Sequence, residues 1–103
     1  MPAVKVTIPH ELGQDEALRR MMGLIQQLET EFSDKIDDVH QGWEDATGVF
    51  IFSTMGLHIS GTIMVGSSEV VIECKLPLRV FFLKGKIESI IRERATALLS
   101  SRH

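Results

Sequence analysis

The sequence has few of the features that mark secreted, membrane-spanning or low-complexity proteins. It contains a single cysteine, Cys74, so an internal disulfide is impossible and a reducing cytoplasm is favoured. Three prolines and eight glycines are spread along the chain without a low-complexity segment. The longest apolar cluster, residues 76–83, is interrupted by Pro77 and Arg79 and falls far short of the ~20 apolar residues that a membrane span requires. We therefore expect a soluble cytoplasmic protein without an integral membrane segment.

Positive charge is also scarce. The chain has 11 Lys and Arg residues against 14 Asp and Glu residues, which gives a net charge of −3 with neutral histidines. Because nucleic-acid affinity depends on Lys and Arg side chains that neutralise phosphates, we expect no nucleic-acid partner. Hydrophobic residues make up 44% of the chain and charged residues 24%, an ordinary globular mixture that argues against disorder. A chain of 103 residues has the length of one domain, so residues 1–103 are expected to form a single domain.

Hydrophobic periodicity predicts the fold class. Alternation of apolar and polar residues predicts β-strands at residues 4–8, 36–43, 49–55, 57–65 and 70–76. Apolar residues spaced three and four apart predict helices at 15–32 and 79–100. The turns between the later strands are short, so these strands are antiparallel. The sequence thus predicts a two-layer α+β domain in the order β-α-β-β-β-β-α, with an antiparallel 4–5-stranded sheet and two helices on one face. This resembles a trimmed helix-grip arrangement, in which a long C-terminal helix lies across a curved sheet.

No group of residues predicts catalysis or metal binding. Cys74 alternates with Ile72 and Leu76, so we expect it on the buried apolar face rather than as a nucleophile. The four histidines form neither an HExxH motif nor a His/Cys pair with metal-ligand spacing. We accordingly expect no enzyme activity, no catalytic residue, no metal site and no cofactor.

An excess of apolar side chains lies where the last strand meets the last helix. A helical stripe cannot bury the consecutive apolar residues 80–83 on one side. Either the sheet edge and the first helix cover the remainder, or it forms an exposed patch that contacts a partner. The candidate contact residues are Leu78, Phe81 and Phe82. The nearby side chains of Arg79, Lys84 and Lys86 would suit an anionic surface.

A second candidate site lies between the sheet and the last helix. Phe50 and Phe52 share one face of a predicted strand, because residues two apart point the same way. Together with Trp43 and Ile63, they either line a pocket for an apolar ligand or pack as ordinary core residues. The candidate pocket residues are therefore Trp43, Phe50, Phe52 and Ile63.

Several segments of the chain resemble one protein family. These segments are residues 6–14 (VTIPHELGQ), 60–62 (SGT), 65–70 (VGSSEV), 84–89 (KGKIES) and 91–95 (IRERA). They are similar to the small bacterial polyhydroxyalkanoic acid system family, which is named for polyhydroxyalkanoate storage granules or for genes near that pathway. The resemblance covers nearly the whole chain and implies a bacterial cytoplasm and a carbon-storage granule. It supplies no catalytic or binding residues.

The residues and the resemblance support three hypotheses. The first is a non-enzymatic, granule-associated protein that contacts the storage granule surface or a granule coat protein through Leu78, Phe81 and Phe82. The second is a small carrier or sensor that holds an acyl or other hydrophobic ligand between the C-terminal helix and the sheet. The third, an enzyme acting on hydroxyacyl thioesters, lacks a readable nucleophile–base pair. A homodimer would form through the apolar patch or through a free sheet edge at residues 4–8 or 36–43.

Overall fold

The computed structural model describes residues 3–100, so residues 1–2 and 101–103 of the predicted single domain lie outside the described part. The strands are β1 (Ala3–Pro9), β2 (Asp37–Glu44), β3 (Thr47–Thr54), β4 (Leu57–Val65) and β5 (Glu69–Lys75). The α-helices are α1 (Gln14–Met21), α2 (Leu24–Glu31) and α3 (Lys84–Ser100), and the 3₁₀ helix η1 (Leu78–Leu83) precedes α3. The predicted α+β class is confirmed.

The strands form one antiparallel sheet in the order β1-β5-β4-β3-β2. Strands β2 to β5 follow one another as a meander, and β1 returns to pair with β5. Every second residue of β1 is buried and the residues between them are exposed, as the alternation predicts. The buried residues are Val4, Val6 and Ile8. Because β1 and β2 stand at the two ends of the strand order, they are the edges of the sheet. A dimer formed across either edge stays a prediction.

The predicted continuous helix at residues 15–32 is wrong in one respect, because the helix is interrupted. Helix α1 ends at Met21 and α2 begins at Leu24, with Gly23 as the residue before α2. Glycine lowers the stability of a helix by about 1 kcal/mol relative to alanine, because its backbone is more flexible. A break in the helix at Gly23 therefore loses less free energy than a break elsewhere. Helix α3 packs on β1 and α1, whereas α2 lies beside α3 and β2. Within residues 3–100, no helix is long and apolar enough to cross a membrane.

The predicted C-terminal helix also begins differently, with a 3₁₀ segment before the α-helix. Residues three apart eclipse each other in a 3₁₀ helix, so each side of η1 carries one such pair. Val80 and Leu83 are buried and half-buried, whereas Leu78 and Phe81 are exposed. The tighter helix therefore separates the apolar residues of this segment into an inner and an outer row.

Side-chain hydrogen bonds fasten the segment between β1 and α1 to the turn between β4 and β5. The His10 Nε2 atom donates to the Gly66 carbonyl at 3.1 Å, while His10 Nδ1 accepts the Leu12 amide at 3.2 Å. Gln14 Nε2 donates to the Val65 carbonyl at 2.9 Å. We call these contacts of His10 and Gln14 the turn clamp. They join two of the segments that carry the family resemblance, residues 6–14 and 65–70.

Candidate functional site

An apolar cavity of about 570 Å³ lies between the sheet and helices α2 and α3. Its floor comes from residues that point inward from β3, β4 and β5, namely Phe50, Phe52, Ile59, Ile63, Ile72 and Cys74. Its roof comes from the apolar faces of the two helices, namely Leu24, Ile25, Leu28, Ile87, Ile90 and Ile91. The strand alternation and the helical stripes that the sequence shows therefore converge on one apolar space.

Gly61 shapes the floor of the cavity by leaving room for an aromatic ring. It is the register partner of Phe50 on the neighbouring strand. A Cβ atom on Gly61 would lie 2.5 Å from Phe50 Cζ and 2.3 Å from the Glu73 carbonyl oxygen, which no side chain can tolerate. The Phe50 ring stacks near Phe52, with ring centroids 6.2 Å apart and planes 13° from parallel. The position of the Phe50 ring in the cavity wall thus depends on the absent side chain at Gly61.

The structure places three of the four predicted pocket residues around the cavity. Phe50, Phe52 and Ile63 line it, whereas Trp43 lies away from its wall. Trp43 pairs with Gly48 at the start of β3, where a Cβ on Gly48 would lie 2.7 Å from the indole ring. The Trp43 Nε1 atom donates to Gln41 Oε1 at 3.2 Å. Trp43 shares the inner face of the sheet but packs on the strand backbone beyond the cavity.

The rim of the cavity carries the charged side chains of its lining. Asp34 and Lys35 come from the loop between α2 and β2, Met55 from the turn after β3, and Lys86 from the first turn of α3. All four side chains are exposed. Sequence reasoning did not connect these residues with a pocket, because they lie on three segments far apart in the chain. The sequence indicates only that the apolar spacing of the first helix stops at residues 33–36, and it does not indicate that this loop borders a pocket.

Among the described residues that line the interior of the cavity, the one titratable and nucleophilic side chain is Cys74. Burial, together with the charge of Glu73, raises the pKa of the Cys74 thiol to about 12, so the thiol stays protonated at neutral pH. Cys74 is buried, as its alternation with apolar neighbours predicts. Among residues 3–100, no group of three or more His, Cys, Asp and Glu side chains is arranged to hold a metal ion. The arrangement is suited to enclosing an apolar molecule.

An ion pair joins the two roof helices on their outer side. Arg94 on α3 donates to both carboxylate oxygens of Glu31 on α2, with 2.7 Å between Arg94 Nε and Glu31 Oε1. The hydrogen bond from Arg94 lowers the pKa of Glu31 below its usual value. Arg94 also pairs with the neighbouring Glu93. These contacts connect α2 to α3 across the top of the cavity without placing a charge inside it.

The three predicted contact residues form an exposed apolar surface on η1, which we call the η1 patch. Leu78 is 77% exposed, Phe82 is 75% exposed and Phe81 is 40% exposed. The Lys84 Nζ atom lies over the Phe81 ring, 5.5 Å from its centroid. The sequence left open whether the sheet edge and the first helix cover this surface or leave it exposed. Within residues 3–100, Leu78 and Phe82 are left largely uncovered. The patch adjoins the cavity lining in sequence at Leu83.

Comparison with known families gives a match along nearly the whole chain. The model of a family described as "Putative polyhydroxyalkanoic acid system protein" matches residues 4–99. The matched range includes every described strand and helix apart from Ala3 of β1 and Ser100 of α3. No curated protein matches the sequence.

Comparison with solved structures identifies the architecture. The crystal structure of Ara h 8.0201 matches with a TM-score of 0.51 and 9% identity, over 97% of this chain and 99% of that one. TTHA0849 from Thermus thermophilus matches with a TM-score of 0.39 and 12% identity, over 95% and 92%. The Zhui aromatase/cyclase from Streptomyces sp. R1128 matches with a TM-score of 0.36 and 12% identity, over 94% and 83%. The first of these likenesses shows the fold alone, and the predicted helix-grip architecture is confirmed.

Proposed function

The chain belongs to the polyhydroxyalkanoic acid system family, and from this premise we propose that it is a non-enzymatic carrier or sensor that binds an acyl-type hydrophobic molecule between α3 and the sheet. The observation that carries the proposal is the apolar cavity of about 570 Å³. Its size falls within the range of ~300–1,000 Å³ that is typical of small-molecule sites. Family membership supports an acyl-type ligand, because polyhydroxyalkanoates are built from hydroxyacyl units.

The chemistry of the wall supports binding without catalysis. The floor consists of aliphatic and aromatic side chains together with the protonated Cys74 thiol. An enzyme acting on acyl groups would need a nucleophile or a positioned acid and base within the cavity. The charged lining residues lie at the exposed rim instead. We accordingly propose a protein that holds its ligand unchanged.

Displacement of a neutral apolar dye tests the proposal. Ile90 on α3 is half-buried and lines the cavity, so Ile90→Trp places an indole in the ligand space. Ile51 lies on the opposite, exposed face of β3, and Ile51→Trp is the matched control. We expect N-phenyl-1-naphthylamine to bind the unmodified protein and Ile51→Trp equally, and Ile90→Trp at least about ten-fold more weakly. Equal binding by Ile90→Trp, with its circular dichroism unchanged, would contradict the proposal.

The exposed η1 patch favours a second candidate function, contact with a storage granule in the cytoplasm. Leu78 and Phe82 are each about three-quarters exposed, and Lys84 places positive charge over the neighbouring Phe81 ring. A hydrophobic surface flanked by cations suits an apolar particle with an anionic coat. The granule surface or a granule coat protein is the proposed partner.

Co-sedimentation with native storage granules tests the contact. Phe82→Asp should release most of the bound protein while leaving the fold intact, because the side chain is 75% exposed. Met64→Asp, at a 44% exposed position on the outer face of the sheet, serves as the control and should bind like the unmodified protein. Equal sedimentation of Phe82→Asp and Met64→Asp would remove the η1 patch as the contact.

A further inference from the structure

The charged and the apolar residues of the cavity lining differ in their exposure to solvent. Its charged members, Asp34, Lys35 and Lys86, are all exposed at the rim. The floor residues Phe50 and Ile63 are buried, and no charged side chain accompanies them within the described lining. The space therefore suits a molecule with an apolar part among the floor residues and a polar end beside the exposed charged side chains.

The rim is positive although the chain as a whole is acidic. Two lysines and one aspartate give the rim a net charge of +1, against −3 for the whole chain. Lys35 Nζ lies 3.8 Å from Asp34 Oδ2, and both side chains are more than two-thirds exposed. Ion pairs of this kind contribute little, so Asp34 neutralises Lys35 only weakly. Among residues 3–100, no carboxylate forms an ion pair with Lys86.

The backbone at the rim is held in place by a hydrogen bond between two of its segments. Thr54 Oγ1 donates to the Lys35 carbonyl at 2.9 Å, which ties the loop before β2 to the end of β3. Lys86 lies in the first turn of α3, directly after η1. Both cations are thus carried by ordered segments that line the cavity.

We propose that the cavity takes a single-chain anionic amphiphile, with its unbranched alkyl chain inside and its carboxylate at the rim beside Lys86 and Lys35. This inference rests on the proposed function, and it narrows the ligand from an apolar molecule to an acid with one alkyl chain. The alkyl chain lies against Phe50 and Phe52, while the carboxylate keeps part of its hydration shell. A charged head deeper in the cavity would lose its water without gaining a partner.

Isothermal titration calorimetry with two ligands of equal chain length separates the head group from the chain. We expect decanoate to bind the unmodified protein about five-fold or more tightly than 1-decanol, and this difference to shrink as salt is raised. A series from hexanoate to decanoate should gain up to about four-fold in affinity per added methylene. The double variant Lys35→Gln/Lys86→Gln should lose the preference for decanoate and bind 1-decanol as before. Lys5→Gln, at an exposed position on β1, is the matched control and should retain the preference.

The outcomes distinguish this inference from the proposed function. Equal affinities of the unmodified protein for decanoate and 1-decanol would overturn the head-group inference and leave the apolar ligand site standing. An unchanged preference in the double variant would also overturn it, because the two lysines would then not be the cause. Binding of neither ligand, together with a failure of the dye to bind, would overturn the proposed function and this inference with it.

Discussion

The two ends of β4 differ in the contacts that surround them. At its C-terminal end, the turn clamp uses His10 and Gln14 to hydrogen-bond the backbone carbonyls of Val65 and Gly66. Near its N-terminal end, the chain surrounds an apolar cavity whose rim carries a hydrogen bond from the hydroxyl of Thr54 to the Lys35 carbonyl and the weak, exposed ion pair of Lys35 and Asp34. The hydrogen bonds of His10 and Gln14 fix the position of α1 against the C-terminal end of β4. The cavity lies toward the other end of the strand, where these bonds do not reach. Stability and ligand binding should therefore respond to different substitutions.

The largest expected effect comes from closing the space that Gly61 leaves for Phe50. Gly61→Ala should lower the free energy of unfolding by about 3 kcal/mol, because its Cβ would clash with the Glu73 carbonyl and the Phe50 ring. It should also weaken dye binding, since the displaced ring enters the cavity. Urea denaturation and dye titration measure the two effects. Gly42→Ala, on edge strand β2 with open space around it, should change stability by less than about 0.5 kcal/mol. Similar values for both variants would show that Gly61 has no special role.

Removing the His10 contacts of the turn clamp should lower the free energy of unfolding without changing the affinity of the cavity for dye. His10→Ala leaves the Leu12 amide and the Gly66 carbonyl without their partner, so we expect a loss of about 2 kcal/mol in the free energy of unfolding. Dye affinity should remain within about two-fold, because the clamp lies at the far end of β4 from the rim. Glu11→Ala, at the exposed neighbouring position, controls for changes of sequence alone. A large fall in dye affinity for His10→Ala would show that the two ends are coupled.

The turn at the rim should become more stable with a better turn residue. Met55 and Gly56 have φ angles of 55° and 75°, which is the left-handed pair of a two-residue hairpin turn. Such turns favour Asn-Gly, because a non-glycine residue other than Asn or Asp is strained there. Met55→Asn should raise the free energy of unfolding by about 1 kcal/mol, as measured by urea denaturation. Since Met55 also lines the cavity, a fall in dye affinity with this variant would assign its side chain to binding; a lower stability would contradict the turn argument.

The smallest effect should come from acid titration of α1. Hydrogen bonds from Arg19 and then Arg20 lower the pKa of Glu16 from 4.5 to about 2. Because the folded-state pKa lies below the unfolded value, these contacts stabilise the fold fully above pH 4.5. The stabilisation is lost as the pH falls from 4.5 toward 2. Thermal unfolding across this range should show a shallower acid dependence in Glu16→Gln than in the unmodified protein, and parallel curves would count against the assignment.

The sequence predicted what depends on local periodicity and missed what depends on distant segments. The alternation of Val4, Val6 and Ile8 was enough to place β1, and the strand residues Phe50 and Phe52 were enough to indicate one face of a pocket. The interruption at Gly23 was missed because the apolar spacing continues across it. Periodicity also cannot tell which end of a strand a pocket occupies, so Trp43 was grouped with residues nearer the cavity. The rim was missed because three separate segments of the chain build it.

The apolar cavity has a consequence for the lifetime of the folded chain. Its lining is partly open to solvent, so a ligand that fills it removes apolar surface from water and stabilises the folded state. A ligand that binds only the folded state adds about 2.7 kcal/mol at a concentration one hundred times its Kd. Cellular proteases act on unfolded molecules, so under the proposed function the protein would be degraded more slowly when the ligand is abundant. The cavity of about 570 Å³ would then link the turnover of the protein to the level of the proposed ligand.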